Sequence, residues 1–428
     1  MRRTVLPNGV QVLSERISSS HTFSVGIFVG VGSRQEVDAR HGASHFLEHV
    51  LFKGTRRRTA EEISAAIECV GGELNAYTAK EHTCFYARVQ AGDADLAVDV
   101  LVDMVTESVV TAADVDVERA VILDEIAMHG DDPGEVVQDL VAAEVFAGSG
   151  LSQRVIGSET SIAALSRDEV VNHWQTHYRG GSLVVAAAGA VDHDRLVELV
   201  APLASRPAGD PVLPAARTRP TPAGGLVTLK RGVEQINAVL AFPSAGVFDD
   251  IDRGVYDAQR YPLGLLSIIL GGGMASRLFV EVRERRALTY GIDAGETAYS
   301  DAGVWSVDWQ CGPDRLADIL EVVRAELAAV AEHGVTATEL ARAQGQMRGQ
   351  TVLGYEGPGA KMSRLGVNAL LNDRRTLSEV LGQFDAVTRD DIQAAAARLF
   401  AQPPVLGLVG PAAPARVLRA WSAHPTIG

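Results

Sequence analysis

Residues 204–225 limit the possible folds more than any other stretch of this chain. Pro207, Pro211, Pro214, Pro220 and Pro222, with Gly209, Gly224 and Gly225, leave neither helical nor strand periodicity there. Proline removes a backbone donor and blocks helix interiors and central strands, so such a segment runs extended over a surface. It splits the 428 residues into two nearly equal parts, 1–203 and 226–428, each large enough for its own core.

The two parts follow one pattern. Each opens with a strand of alternating apolar positions, Ser24–Gly30 in the first and Asn237–Phe242 in the second, and each continues with a short apolar helix ending in glycine, Ser44–Gly54 and Pro262–Gly271. A second helix and a strand pair are expected next, the pairs within Glu73–Gln90 and Thr289–Gln310, and then long helices over Ala94–Ser108 and Arg315–His333. Thr111-Ala-Ala-Asp114 and Thr336-Ala-Thr-Glu339 both fit a helix capping box, and Leu183–Gly189 and Val405–Gly410 supply closing strands. The pattern predicts an α+β chain of two homologous domains, each a mainly antiparallel sheet with helices packed on one face.

His45-Phe-Leu-Glu48-His49 lies on the first short helix. Residues four apart share a helix face, so both imidazoles can reach one ion, and Glu48 projects beside them. Zinc lowers the pKa of a bound water, and a carboxylate alongside can take its proton as it attacks a carbonyl. The order His-x-x-Glu-His is the inverzincin pattern. With so few histidines, chance would place it in a chain this long with a probability of only about 0.02. A catalytic zinc needs a third protein ligand, and Glu118 and Glu125 are the candidates on the helix that Thr111 caps. Seven residues apart, they share a face with Cα atoms about 10 Å apart, so one is expected as ligand and the other as its support. Spacing does not choose between them.

Net charge is −15, which argues against a nucleic-acid partner, since neutralising phosphates takes a basic surface. No apolar run is long enough to cross a bilayer, and no apolar stretch follows the basic N-terminal residues. Cys69, Cys84 and Cys311 lack metal or redox spacing and read as buried free thiols in a reducing cytoplasm.

Several segments together resemble the pitrilysin superfamily, in particular its mitochondrial-processing-peptidase-like branch. They are Leu6–Val10, Gly30–Glu36, His41–Thr55, Asn75–Thr83, Glu118–Ile126 and Ser276–Tyr290. The resemblance implies a zinc metallopeptidase with one zinc per chain, Glu125 as third ligand beside His45 and His49, Glu48 as general base and Glu118 as a supporting carboxylate. It implies that extended peptides add to a strand edge near Asn75 and Ala76, which holds them by backbone hydrogen bonds. It also implies an Arg/Tyr pair, Arg283 and Tyr290, that binds the substrate carbonyl and backbone. Leu263–Ser267 stands where His45–His49 stands, so the second domain is expected to have no metal ligands. Gly271–Gly273 resembles a shortened glycine-rich loop. Because one chain carries both sets of residues, the resemblance implies a homodimer with sites completed across the interface. A non-catalytic scaffold of the same fold and a purely structural zinc are the rivals. A scaffold has no use for an intact ligand set, and no cysteine lies near His45 to complete a structural site.

Overall fold

The computed structural model of the chain describes residues 1–209, 220–222, 224–250 and 253–411, with 415, 417 and 421. The core of the expected linker, 210–219 with 223, lies outside them. Two compact units result, each assembled from three segments: 1–127, 153–217 and 352–374 in the first, and 128–152, 218–351 and 375–428 in the second.

The first unit holds strands β1 (Arg2–Val5), β2 (Gln11–Arg16), β3 (Thr22–Val29), β4 (Glu73–Thr78), β5 (Thr83–Gln90) and β6 (Leu183–Gly189) in the order β1-β2-β6-β3-β5-β4. Only the β2–β6 pair is parallel. Val25, Ile27 and Val29 of β3 join Phe46, Leu47, Phe85 and Leu101 in one core, while Phe28 joins Leu13, Cys84 and Val184 on the opposite face. Polar/apolar alternation is absent from β3 because both its faces are covered. The helix Pro358–Leu370 covers the second face, bringing Met362 and Leu365 onto it. Two glycines permit the close approach: a Cβ at Gly366 would overlap the Phe28 ring, and one at Gly26 would lie 2.7 Å from Met362 Sδ.

The second unit holds β7 (Gly225–Lys230), β8 (Ile236–Ser244), the short pair β9 (Phe248–Asp250) and β10 (Val255–Tyr256), β11 (Ile292–Ala298), β12 (Gly303–Cys311) and β13 (Val405–Gly410). Its main sheet runs β11-β12-β8-β13-β7, the same path as β4-β5-β3-β6-β2, with the one parallel pair, β13–β7, in the matching place. Here too a helix, Pro133–Val145, lies over the second sheet face, placing Val137 and Val141 against Val239, Ala241 and Val405. Each unit therefore takes a helix from the sequence half that forms the other.

Two expectations need correction. Between Gly271 and β11 the second half has no second α-helix but a helix that is π-helical over Phe279–Glu284, where each backbone bond spans one residue more than in an α-helix. Cys84 and Cys311 are buried, but Cys69 is exposed, since it ends the helix Ala60–Glu68 on the side away from Ile63 and Ile67. All three are unpaired, and no helix among the described residues is long and apolar enough to cross a membrane.

Candidate metal centre

The helix Ala43–Leu51 starts at Gly42, whose φ of 92° is left-handed, and buries Phe46, Leu47, Val50 and Leu51 against the sheet. Those apolar positions turn His45, Glu48 and His49 toward the opposite face. The far end is fixed by Ser108, whose hydroxyl donates to the carbonyls of Leu51 and Gly54 at 3.1 Å each.

The second contributor is the helix Ala112–Asp131, started by Thr111, whose Oγ1 accepts from Asp114 N at 3.1 Å. Glu125 Oε2 lies 3.8 Å from His45 Nε2 and 3.6 Å from His49 Nε2. Tetrahedral ligands about 2.1 Å from zinc are roughly 3.4 Å apart, so an ion would need only a small contraction of this group. Glu125 Oε2 is buried and has no hydrogen-bond partner, as expected of an atom shaped for a cation. Burial, and then the neighbouring His49, push His45 down to about pH 4, which keeps its imidazole neutral with a lone pair to donate. Among the described residues this is the one group of three potential ligand side chains that converges in this way.

The structure separates the two glutamates that spacing left equivalent. Glu118 is on the other side of His49, with Oε2 3.0 Å from Nδ1, and its other oxygen pairs with Lys53. The Nδ1–H···carboxylate bond puts the proton on Nδ1 and leaves the Nε2 lone pair facing Glu125. Glu48 Oε2 accepts from Thr78 Oγ1 at 2.6 Å, and burial is the largest influence raising its pKa.

Thr78 ends β4, an edge strand that among the described residues pairs only with β5. Asn75 and Tyr77 lie on the other face of β4, with the Tyr77 ring packed on His82 and Tyr86, while Ala76 and Thr78 turn toward the metal helix. Asn75 Oδ1 accepts from Ala76 N at 2.8 Å.

Arg283 and Tyr290 belong to the second unit and meet there, the guanidinium 5.1 Å from the Tyr290 ring centre and 4.7 Å from that of Phe279. Arg283 sits on the π-helical turn, an irregularity enriched at functional sites. Tyr290 is 88% exposed, far from the core position a tyrosine beside a strand would ordinarily take. Leu263 and Ser267, at the places of His45 and His49, are buried, and Ser267 Oγ accepts from Trp305 Nε1 at 2.9 Å. Gly271 packs so tightly on β11 that a Cβ would overlap the Ala294 backbone, so the glycine run meets a packing need. Sequence reasoning passed over Thr78 and Lys53. Strand alternation toward the metal helix could have marked the first, but no local signal marks the second.

Two imidazoles and a carboxylate brought together by two helices, with another carboxylate alongside, form the donor set of a zinc-dependent hydrolase. Residues 11–159 match the family described as insulinase (peptidase family M16), and residues 164–347 match the peptidase M16 inactive domain. The chain is 43% identical to an uncharacterized zinc protease of Streptomyces coelicolor over 96% of its own length and 90% of the relative's. It is 31% identical to one of Bacillus subtilis, over 96% and 98%. A protease structure from Helicobacter pylori shares the fold with a TM-score of 0.87 at 20% identity, covering 96% of this chain and 99% of that one. The chain belongs to peptidase family M16, the insulinase family of zinc metallopeptidases in the pitrilysin superfamily.

Proposed function

We propose that the protein is an endopeptidase or oligopeptidase that hydrolyses extended or unfolded peptides, with one zinc per chain held by His45, His49 and Glu125. The observation that carries this reading is the convergence of those three ligand atoms beside Glu48, at the end of an open-edged strand. Zinc, when bound, supplies a Lewis acid that brings water within reach of a carboxylate base at neutral pH. Glu48 takes the proton from the attacking water and passes it to the leaving amine, and its bond from Thr78 keeps one oxygen fixed while the other is free to act. Glu118 holds His49 in the required tautomer. The backbone of β4 around Asn75 and Ala76 takes the substrate as an added strand, which selects extended chains over side-chain identity. Three unpaired cysteines support a cytoplasmic setting.

A denatured polypeptide should be cleaved rapidly at internal bonds, while a compact folded domain of the same length resists, and a strong chelator should abolish both activity and bound zinc. Full cleavage by metal-free protein, or equal cleavage of the folded domain, would contradict the reading.

The same reading includes a homodimer in which Arg283 and Tyr290 of one chain serve the metal centre of the other. Mixing inactive Glu48→Gln chains with inactive Tyr290→Phe chains should then restore about a quarter of wild-type activity, since half of randomly paired dimers are mixed and each has one intact site. A mixture that stays inactive after verified chain exchange refutes the arrangement and leaves the zinc chemistry untouched.

A further inference from the structure

The residue that ordinarily caps a helix has a side-chain oxygen and immediately precedes the first turn. At the metal helix that position is Gly42, which has none. Glu36, six residues upstream, does the work instead: Oε2 accepts from Gly42 N at 2.7 Å and Oε1 from Ser44 N at 2.6 Å. Burying a carboxylate is costly, and burial pushes Glu36 up to about 7 against the opposing pull of these bonds. No ordinary capping residue can replace Gly42, whose φ is 92° and where a Cβ would lie 2.6 Å from Ile162 Cδ1, so the cap comes from a distance and ties the helix to the segment that carries Glu36.

The segment leading to Glu36 shows what else it does. Ser33 N and Arg34 N donate to the carbonyls of Ala79 and Lys80 at 3.3 and 2.8 Å, in the turn joining β4 to β5. The buried Arg34 also pairs with Glu81 at 2.6 Å. Glu36 thus connects the start of the metal helix to the turn just beyond Thr78, whose hydroxyl holds Glu48. Ser44 is held a second time, its Oγ 3.1 Å from Nε2 of the buried His173.

We propose that Glu36 is a positioning residue for the metal centre, a carboxylate strut that fixes the helix carrying His45, Glu48 and His49 against the edge strand and so sets the direction of both imidazoles. The inference rests on His45 and His49 being zinc ligands. Its test is direct metal binding. Glu36→Gln keeps the side-chain volume but loses the charge and one acceptor, and it should raise the zinc dissociation constant about 10–100-fold, the range for groups that orient ligands. Cobalt(II) bound in place of zinc should show altered visible absorption, which a simple loss of stability would not produce. Glu62→Gln is the control, because Glu62 caps the helix Ala60–Glu68 through Thr59 with similar bonds, and it should leave both readouts unchanged. If Glu36→Gln does not fold, Glu36→Asp keeps the charge but draws it back by one methylene and should give the same changes to a smaller degree. Unchanged zinc affinity and cobalt spectrum in the folded variant overturn the inference while wild type still binds zinc. Wild type that takes up no zinc overturns the metal reading and this inference with it.

Discussion

Glu48→Gln leaves zinc bound and lowers kcat by about 10²–10⁴-fold, the contribution of a well-placed general base. The amide has the size of the carboxylate and can still accept from Thr78 through its oxygen, so the fold and the ligand cluster are preserved. What it lacks is an anionic oxygen to take the proton of the attacking water. KM should change little, because Glu48 lies among the metal ligands and is not part of the β4 backbone that takes the substrate. Metal analysis beside steady-state kinetics checks both halves of the statement. Loss of zinc in this variant would make Glu48 a ligand and require a different base.

Glu125→Gln and Glu118→Gln should differ sharply in zinc affinity. Removing the Glu125 charge takes away one of three protein ligands and leaves two imidazoles that bind weakly alone. Removing the Glu118 charge weakens the Nδ1–H bond of His49 and leaves Lys53 in an unbalanced pocket, an effect expected at about 10–100-fold. Competition with a chelating dye ranks the two. If Glu118→Gln is the weaker binder, the ligand roles of the two glutamates must be exchanged.

The histidine pair was legible because four residues of helix form a local rule, and the apolar faces that orient it stand beside it in sequence. Leu183–Gly189 and Val405–Gly410 emerge as strands with the expected bounds, since short apolar runs between turn residues suit central positions. The choice between Glu118 and Glu125 is different in kind. Both lie on one helix face, and only the approach of a second helix shows which meets the imidazoles and which passes behind them. Thr78 and Lys53 act across long sequence separations through a single hydrogen bond or ion pair, and Glu36 bonds across an irregular loop of six to eight residues, none of which periodicity records. The destinations of Pro133–Val145 and Pro358–Leu370 are also hidden: an apolar helix face asks to be covered without naming the sheet that covers it.

The exchanged helices also set an order of events during synthesis. All six strands of the first sheet have been made by Gly189, yet the face bearing Leu13, Phe28 and Val184 lacks its covering helix until Leu370 has left the ribosome. Through that interval the growing chain carries an uncovered apolar sheet face, the kind of surface that invites aggregation. The first unit therefore cannot mature as an independent N-terminal domain: its final packing waits on a helix of the second half, and the second unit in turn waits on β13.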